Sequence, residues 1–239
     1  MNLPVADMFK FKQFEIDDSL SAMKIGTDGV LLGAWASVEG CRRVLDVGTG
    51  TGLIALMMAQ RYAEAHVTAI DIDALATKEA QYNVDKSTWH SRITVLRADV
   101  REFIPNEPFD HIISNPPYFN DALRSPDVQR STARHTDTLG YEELVATAER
   151  MLVDGGRLSV VLPTEGAALF RRVAFGRLWL CRLTDVVTRE GEAPKRTLME
   201  FVLTDSPIMP RCDSLTIHGS DGSYTSDYRH LTEEFYLAF

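Results

Sequence analysis

Between Arg43 and Asp205, short β-branched runs alternate with longer amphipathic ones, and this rhythm limits the possible folds more than any other feature of the chain. Residues 43–47, 66–70, 93–96, 111–114 and 158–162 read as strands, each short, apolar and bounded by charged or turn residues. Residues 53–62, 74–84 and 141–151 read as helices, the last stopping at Asp154-Gly155-Gly156. Alternating strands and helices require right-handed crossovers, hence a parallel sheet covered on both faces. The runs 179–188 and 196–203 are separated only by Glu190-Gly-Glu-Ala-Pro, too short for a crossover helix, so they predict an antiparallel hairpin at the sheet edge. At the head, Phe9-Lys-Phe-Lys-Gln-Phe alternates aromatic and polar residues and reads as a half-buried strand laid against the domain. No repeat or Pro/Ser-rich linker interrupts the chain, which predicts one α/β domain over 1–239 with an extension at 1–40, a core at 41–165, and an edge hairpin and tail at 166–239.

The first strand runs into Asp46-Val-Gly48-Thr-Gly50-Thr-Gly52, directly before a helix. Glycines in such a turn let the backbone approach a ligand and adopt positive φ. The dinucleotide fingerprint wants a further glycine where this chain has Leu53. Asp46, one residue before the loop, would repel a pyrophosphate and suits a cation such as the sulfonium and ammonium of S-adenosylmethionine. Asp71, at the end of the second strand, is placed to accept hydrogen bonds from a ribose diol. Asp73 is assigned the N-cap of the next helix. Asp99 closes the third strand, where its carboxylate can accept from an adenine amino group while the Val100 N–H faces the ring. Together Asp46, Gly48, Gly50, Asp71, Asp99 and Val100 form the candidate cofactor site.

The fourth strand ends in Ser114-Asn115-Pro116-Pro117-Tyr118. Asn115 precedes a proline and is pushed to extended backbone, and neither proline has an N–H, so that carbonyls are the only backbone groups those two residues offer a ligand. An exocyclic amine such as adenine N6 is a poor nucleophile because its lone pair is delocalised into the ring. Acceptors at the Asn115 side-chain oxygen and the Pro116 carbonyl can take its two N–H groups and redirect the lone pair toward a methyl group. Tyr118 would stack on the planar substrate. Asn115, Pro116, Pro117 and Tyr118 are the candidate catalytic residues.

The glycine loop with N-P-P-Y resembles class I S-adenosylmethionine methyltransferases of the amino-group type. Phe9 to Phe14, the segment Ala22-Met-Lys24-Ile-Gly-Thr27-Asp28 through Trp35, the run Arg134-His-Thr-Asp-Thr-Leu and the tail Phe235-Tyr-Leu look like the bacterial tRNA1(Val) adenine-37 N6-methyltransferases. The likeness covers essentially the whole chain. It implies a Rossmann-like class I methyltransferase fold with a mostly parallel seven-stranded sheet, S-adenosyl-L-methionine as cofactor and a tRNA anticodon loop as substrate. It also implies that Lys24, Thr27 and Asp28 lie over the cofactor pocket, and that 119–139 forms part of an RNA-facing rim. From residues alone, Thr27-Asp28 is a good N-cap for a helix over 29–35.

N-P-P-Y also serves enzymes that methylate a glutamine side-chain nitrogen in release factors, and an inactive RNA-binding methyltransferase fold is a further alternative. The release-factor enzymes carry a helical domain before the cofactor loop, where this chain has a short, strand-like head. The chain holds 25 Lys+Arg against 34 Asp+Glu, a formal net charge of −9, which argues against indiscriminate polyanion binding. Locally the balance reverses. Arg171, Arg172, Arg177, Arg182, Arg189, Lys195 and Arg196 outnumber the acids among them, and Arg124, Arg130 and Arg134 cluster after N-P-P-Y. With Lys10 and Lys12, these predict a basic rim around Asn115, its RNA-binding candidates being Lys10, Lys12, Arg124, Arg130, Arg134 and Arg196. No run approaches the ~18 apolar residues of a membrane span and no secretory leader is visible, so a soluble cytoplasmic protein without membrane contact is expected. Cys41, Cys181, Cys212 and the six histidines show no ligand spacing, so no metal is expected. Nothing in the sequence points to a protein partner.

Overall fold

Strands buried on both faces must be apolar on both, and β3 (Arg43–Val47), β6 (Phe109–Ser114) and β7 (Leu152–Pro163) obey this: Val44, Leu45, Ile112, Ile113, Val160 and Val161 are all fully buried. The computed structural model describes residues 8–20, 24–37, 39–116 and 139–239. The head contributes β1 (Phe9–Lys10), β2 (Glu15–Ile16) and α1 (Thr27–Trp35) before β3. Next come α2 (Leu53–Arg61), β4 (His66–Asp71), α3 (Ala74–Asp85) and β5 (Ile93–Arg97), then β6. The second half runs α4 (Tyr141–Met151), β7, α5 (Thr164–Ala174), β8 (Trp179–Arg189), β9 (Arg196–Val202), β10 (Arg211–His218) and α6 (Ser226–Thr232).

The large sheet has the order β10-β8-β9-β7-β6-β3-β4-β5, and β9 alone runs antiparallel to its neighbours. One apolar core joins α1, α2 and α6 to one face of the sheet, and a second joins α4 and α5 to the other. The fold is the expected Rossmann-like α/β arrangement, with two corrections. Eight strands are present rather than seven, and the β8–β9 hairpin is not the edge, because β10 pairs in parallel with β8 from Arg211 to His218. In β10 only Leu215 and Ile217 are buried apolar residues, too few to announce a strand by alternation. The head is not one strand but two, folded back by a turn in which the Phe11 N–H donates to the Phe14 carbonyl at 2.9 Å. Phe14 breaks the period of two set by Phe9 and Phe11, and the turn brings its ring under Phe11 at 4.6 Å, while Phe11 bridges to Tyr236 of the tail.

Helix ends leave carbonyls without partners, and arginines serve them here. Arg61 donates to the Gly33 and Ala36 carbonyls at the end of α1, and Arg92 to those of Ala59, Tyr62 and Ala65 beyond α2. A buried polar seam crosses the sheet beneath α1. His111 meets the Ser159 hydroxyl at 2.9 Å, and Ser159 donates to Glu200 at 3.0 Å. Glu200 also accepts the Ser37 N–H and hydroxyl and an ion pair from Arg157 at 2.6 Å. Burial pushes His111 down to about 4, so it stays neutral.

Glu200 is wholly buried, so Glu200→Ala should leave the Ser37 amide and Ser159 hydroxyl without their acceptor and cost about 3 kcal/mol in urea unfolding. Arg157, two-fifths exposed, can regain water and should contribute the smaller part.

Candidate active site

The sheet changes direction at β3. The chain steps outward from β3 through β4 to β5, then crosses to β6 on the other side of β3. The crevice outside the carboxyl ends of strands at such a reversal is where open α/β sheets bind ligands. The loop after β3, Asp71 at the end of β4, Asp99 after β5 and Asn115 after β6 all open onto it.

Gly48, Gly50 and Gly52 have φ of 71°, 55° and 83°, a region closed to most side chains. The N–H groups of Gly48 and Thr49 both donate to the Ile70 carbonyl, at 2.9 and 3.0 Å, tying the loop to β4. A Cβ at Gly48 or Gly50 would meet no protein atom within 4 Å, so the space in front of the loop is open. Asp71 accepts the Gly50 N–H at 2.9 Å on one oxygen and the Asp73 N–H at 3.0 Å on the other. Its lone pairs are thereby oriented, with capacity left for a diol. Asp73 accepts the Leu75 N–H at 2.8 Å and caps α3.

Asp46 is fully buried at the end of β3. Oδ2 accepts the Thr49 hydroxyl at 2.6 Å, while Oδ1 completes no hydrogen bond, the Ala55 amide at the head of α2 giving only partial electrostatic relief. Burial, reinforced by the charge of Asp71, pushes the Asp46 carboxyl up to about 7. A buried carboxylate with an unused oxygen beside an open glycine cradle fits a cationic ligand. On this test the residues present fit S-adenosylmethionine.

Asp99 is engaged within the chain. Arg101 grips both of its oxygens, Nε lying 2.8 and 2.9 Å from them, and holds the carboxyl below its usual range. The other arm of Arg101 reaches Glu143 at 3.5 Å. No motif marks Arg101, and its place beside Asp99 is legible only as proximity in sequence. Val100 is buried, and its carbonyl is held by Arg150 at 3.1 Å. Asn115 follows β6 with Oδ1 buried and without a hydrogen-bond partner, and Pro116 is buried beside it. The Ser114 hydroxyl donates to the Val47 carbonyl at 2.9 Å, fixing the turn to the strand that carries the glycine loop. Pro117, Tyr118, Arg124, Arg130 and Arg134 lie outside the described residues.

The remaining expected residues are less central. Lys24 is exposed and donates to the Asp18 carbonyl. Thr27 is the first residue of α1, whose N-cap is Gly26, and it lines a cleft shared with Arg196. The helix thus begins two residues before Gly29, because Gly26 in extended conformation serves as its cap. Asp28, expected beside Thr27 over the cofactor pocket, is buried and ion-paired with Arg196. Lys10 pairs with Glu15 at 3.3 Å across the head hairpin, and Lys12 donates to the Glu233 carbonyl at 2.6 Å.

The basic stretch is also divided by the fold. Arg171 and Arg172 close α5, which leads away from the carboxyl end of β7. Arg177 pairs with Glu149, and Arg182 stacks over Trp35 at 4.2 Å. Only Arg189, Lys195 and Arg196 stand at the carboxyl end of the sheet.

Comparison with known proteins agrees with this geometry. The family described as Methyltransferase small domain matches residues 25–169. A Phocaeicola vulgatus protein named tRNA1(Val) (adenine(37)-N6)-methyltransferase is 47% identical over 96% of this chain and 97% of its own length. A protein of the same name from Citrobacter koseri is 44% identical over 96% of this chain and 94% of its own. Among solved structures, the Agrobacterium tumefaciens protein Atu636, described as a predicted O-methyltransferase, superposes with a TM-score of 0.69 at 26% identity, covering 87% of this chain and 96% of that one. The N-methyltransferase NodS of Bradyrhizobium japonicum with bound S-adenosyl-l-homocysteine shares the fold at a TM-score of 0.53 and 16% identity, over 72% of this chain and 83% of that one.

A carboxyl with a pKa near 7 must lose its proton to face a cation, so S-adenosylmethionine binding should release close to one proton per site at pH 6 and affinity should be about tenfold weaker there than at pH 8. Calorimetry in buffers of different ionisation enthalpy checks this, and Asp46→Asn should flatten the dependence. In the ligand-free protein the sign is opposite. The folded chain keeps this proton up to about pH 7 and the unfolded chain loses it near the ordinary carboxylate value of 3.8, so the stability held by protonated Asp46 is lost as pH rises between the two.

Proposed function

The chain belongs to the tRNA1(Val) (adenine(37)-N6)-methyltransferase family, and we propose that it methylates N6 of adenine 37 in the anticodon loop of tRNA1(Val) at the Asn115 turn. The observation that carries the reading is Asn115 Oδ1, a buried acceptor left unpaired at the carboxyl end of β6, beside the crevice that holds Asp46 and the glycine loop. An unsatisfied buried amide oxygen costs free energy in the empty site, and an exocyclic amine repays it by donating.

S-adenosylmethionine, when bound, supplies a methyl group already activated on a sulfonium. The chain's residues position and polarise. Asp46 offers its free oxygen to the cationic part of the cofactor, Asp71 offers its remaining lone pairs to the ribose, and Val100 walls the adenine. Asp99 accepts from the adenine amino group once Arg101 yields a lone pair. Asn115 Oδ1 and the Pro116 carbonyl accept the two N6 hydrogens of the substrate, favouring a pyramidal nitrogen whose lone pair faces the methyl group. Tyr118 stacks on the base, and Pro117 stiffens the turn. The N6 proton leaves to solvent after transfer. A single-stranded anticodon loop makes the required unstacking cheap.

In this reading 41–165 supplies the cofactor and catalytic core, 1–40 shields it, and 166–239 extends the sheet toward RNA. Arg124, Arg130 and Arg134, the cations that follow N-P-P-Y in sequence, contribute to RNA binding. Among the described residues no helix is long and apolar enough to cross a membrane, and a tRNA substrate supports a cytoplasmic enzyme.

Methyl-label incorporation into tRNA lacking the modification tests the assignment directly. Labelling of a release factor in its place would overturn it. Asn115→Ala should lower turnover by ~10² or more with cofactor affinity little changed. Arg134→Glu should weaken tRNA binding and reduce its salt slope, whereas Arg196→Glu would also disturb Asp28 and is the poorer probe.

A further inference from the structure

A cleft of about 430 Å³ opens at the carboxyl end of the sheet, on the side away from the three acids. Its walls are the head strand, the end of β10 and the C-terminal tail. Tyr224 and Phe9 are its exposed aromatic rings, at 41% and 42%. Behind them Tyr228 stacks on Tyr224 at 5.2 Å, Phe239 meets Tyr224 edge-on at 5.0 Å, and Tyr236 backs Phe9 at 6.4 Å. The aromatic wall is therefore held by the buried Tyr228 and the half-buried Tyr236 and Phe239.

Polar groups converge on the same space. Thr27, Thr188, His218 and Arg196 line it. His218 Nδ1 faces the Gly222 carbonyl at 3.2 Å, which in the neutral ring leaves Nε2 as an acceptor. Arg189 pairs with His218 in the β8–β10 register, is exposed, and makes no side-chain ion pair among the described residues.

The sheet register relates the cleft to the catalytic turn. Ser114 pairs with Val160 on β7, and Pro163, three residues on, pairs with Arg196 on β9. Arg196 thus stands two strands across and three residues along from Ser114, roughly 14 Å away on the same rim. A cleft of this size with stacking rings and hydrogen-bonding edges, and with Arg189 paired in register beside His218, has the chemistry of a single-base subsite.

We propose that this cleft receives one unstacked base next to the methylated adenine, stacked against Tyr224 and Phe9, with Arg189 at its phosphate. The proposal rests on the tRNA reading above and adds where the flanking nucleotide goes.

The test uses the full chain and a fluorescently labelled anticodon stem–loop of tRNA1(Val). Tyr224→Ala and Phe9→Ala should each raise the RNA Kd about tenfold or more, Tyr224→Phe should restore it, and S-adenosylmethionine affinity by calorimetry should not move. With the parent protein, a 4-thiouridine placed beside the target adenine should photocrosslink to the peptide 218–228 or to Phe9, which requires no variant to fold. RNA affinity unchanged in both alanine variants overturns the subsite, as does the absence of any crosslink to these segments while the parent still methylates the RNA. A parent that transfers no methyl to tRNA overturns the functional reading itself, an outcome visible before any variant is made.

Discussion

One backbone oxygen organises the site. The Ile70 carbonyl takes the N–H groups of both Gly48 and Thr49, so the chain leaving β3 must curl against the end of β4 instead of running on. The curl takes the backbone through positive φ at Gly48 and again at Gly50, where glycine is the residue that adopts it without strain. The curl aims the Gly50 N–H at Asp71, folds the Thr49 hydroxyl back onto Asp46 and starts α2 with its amides facing that buried carboxyl. The positions of two of the three acids follow from it.

Polar satisfaction divides the molecule into structural and functional parts. In the seam beneath α1, Glu200 is as buried as Asp46, yet its oxygens meet Ser37, Ser159 and Arg157, and its carboxyl is held below its usual range. Asp46 and Asn115 each keep a buried oxygen without a hydrogen bond, and both face the crevice at the reversal of the sheet. A folded chain tolerates such atoms where a ligand supplies the missing donor. Gln60 and Tyr62 also keep buried oxygens without a hydrogen bond, so an unpaired oxygen marks a binding group here only where it also faces the crevice.

Most of this was legible in the sequence because it was local. A strand, a glycine loop and a helix lie within twenty residues, and the proline pair after β6 restricts its own backbone. Long-range partners were not legible. Nothing near Arg196 names Asp28 as its mate, nothing near Asp99 says that Arg101 occupies its carboxylate, and β10 carries too few apolar residues to declare that it will cover the hairpin. The head was misjudged for a related reason: Phe14 belongs under Phe11 only once the tail supplies Tyr236 as the other wall.

Charge counting misleads in the same way, and correcting it changes how the enzyme must hold RNA. Many of the cations are committed to the fold: Arg61, Arg92, Arg150 and Arg182 donate to backbone carbonyls, and Arg43, Arg101, Arg157 and Arg177 pair with acids. Each ion-paired arginine cancels an acid and leaves the formal net charge of −9 unchanged, but fewer arginines remain to meet a polyanion. Attraction spread over a broad basic face cannot carry recognition under those conditions. Affinity must come from a few cations standing where strands end, and from stacking, which does not depend on net charge and is available only to bases already out of a helix. An acidic body with aromatic and arginine groups confined to one rim therefore favours a looped, single-stranded target over duplex RNA, because only the loop can use both kinds of contact at once.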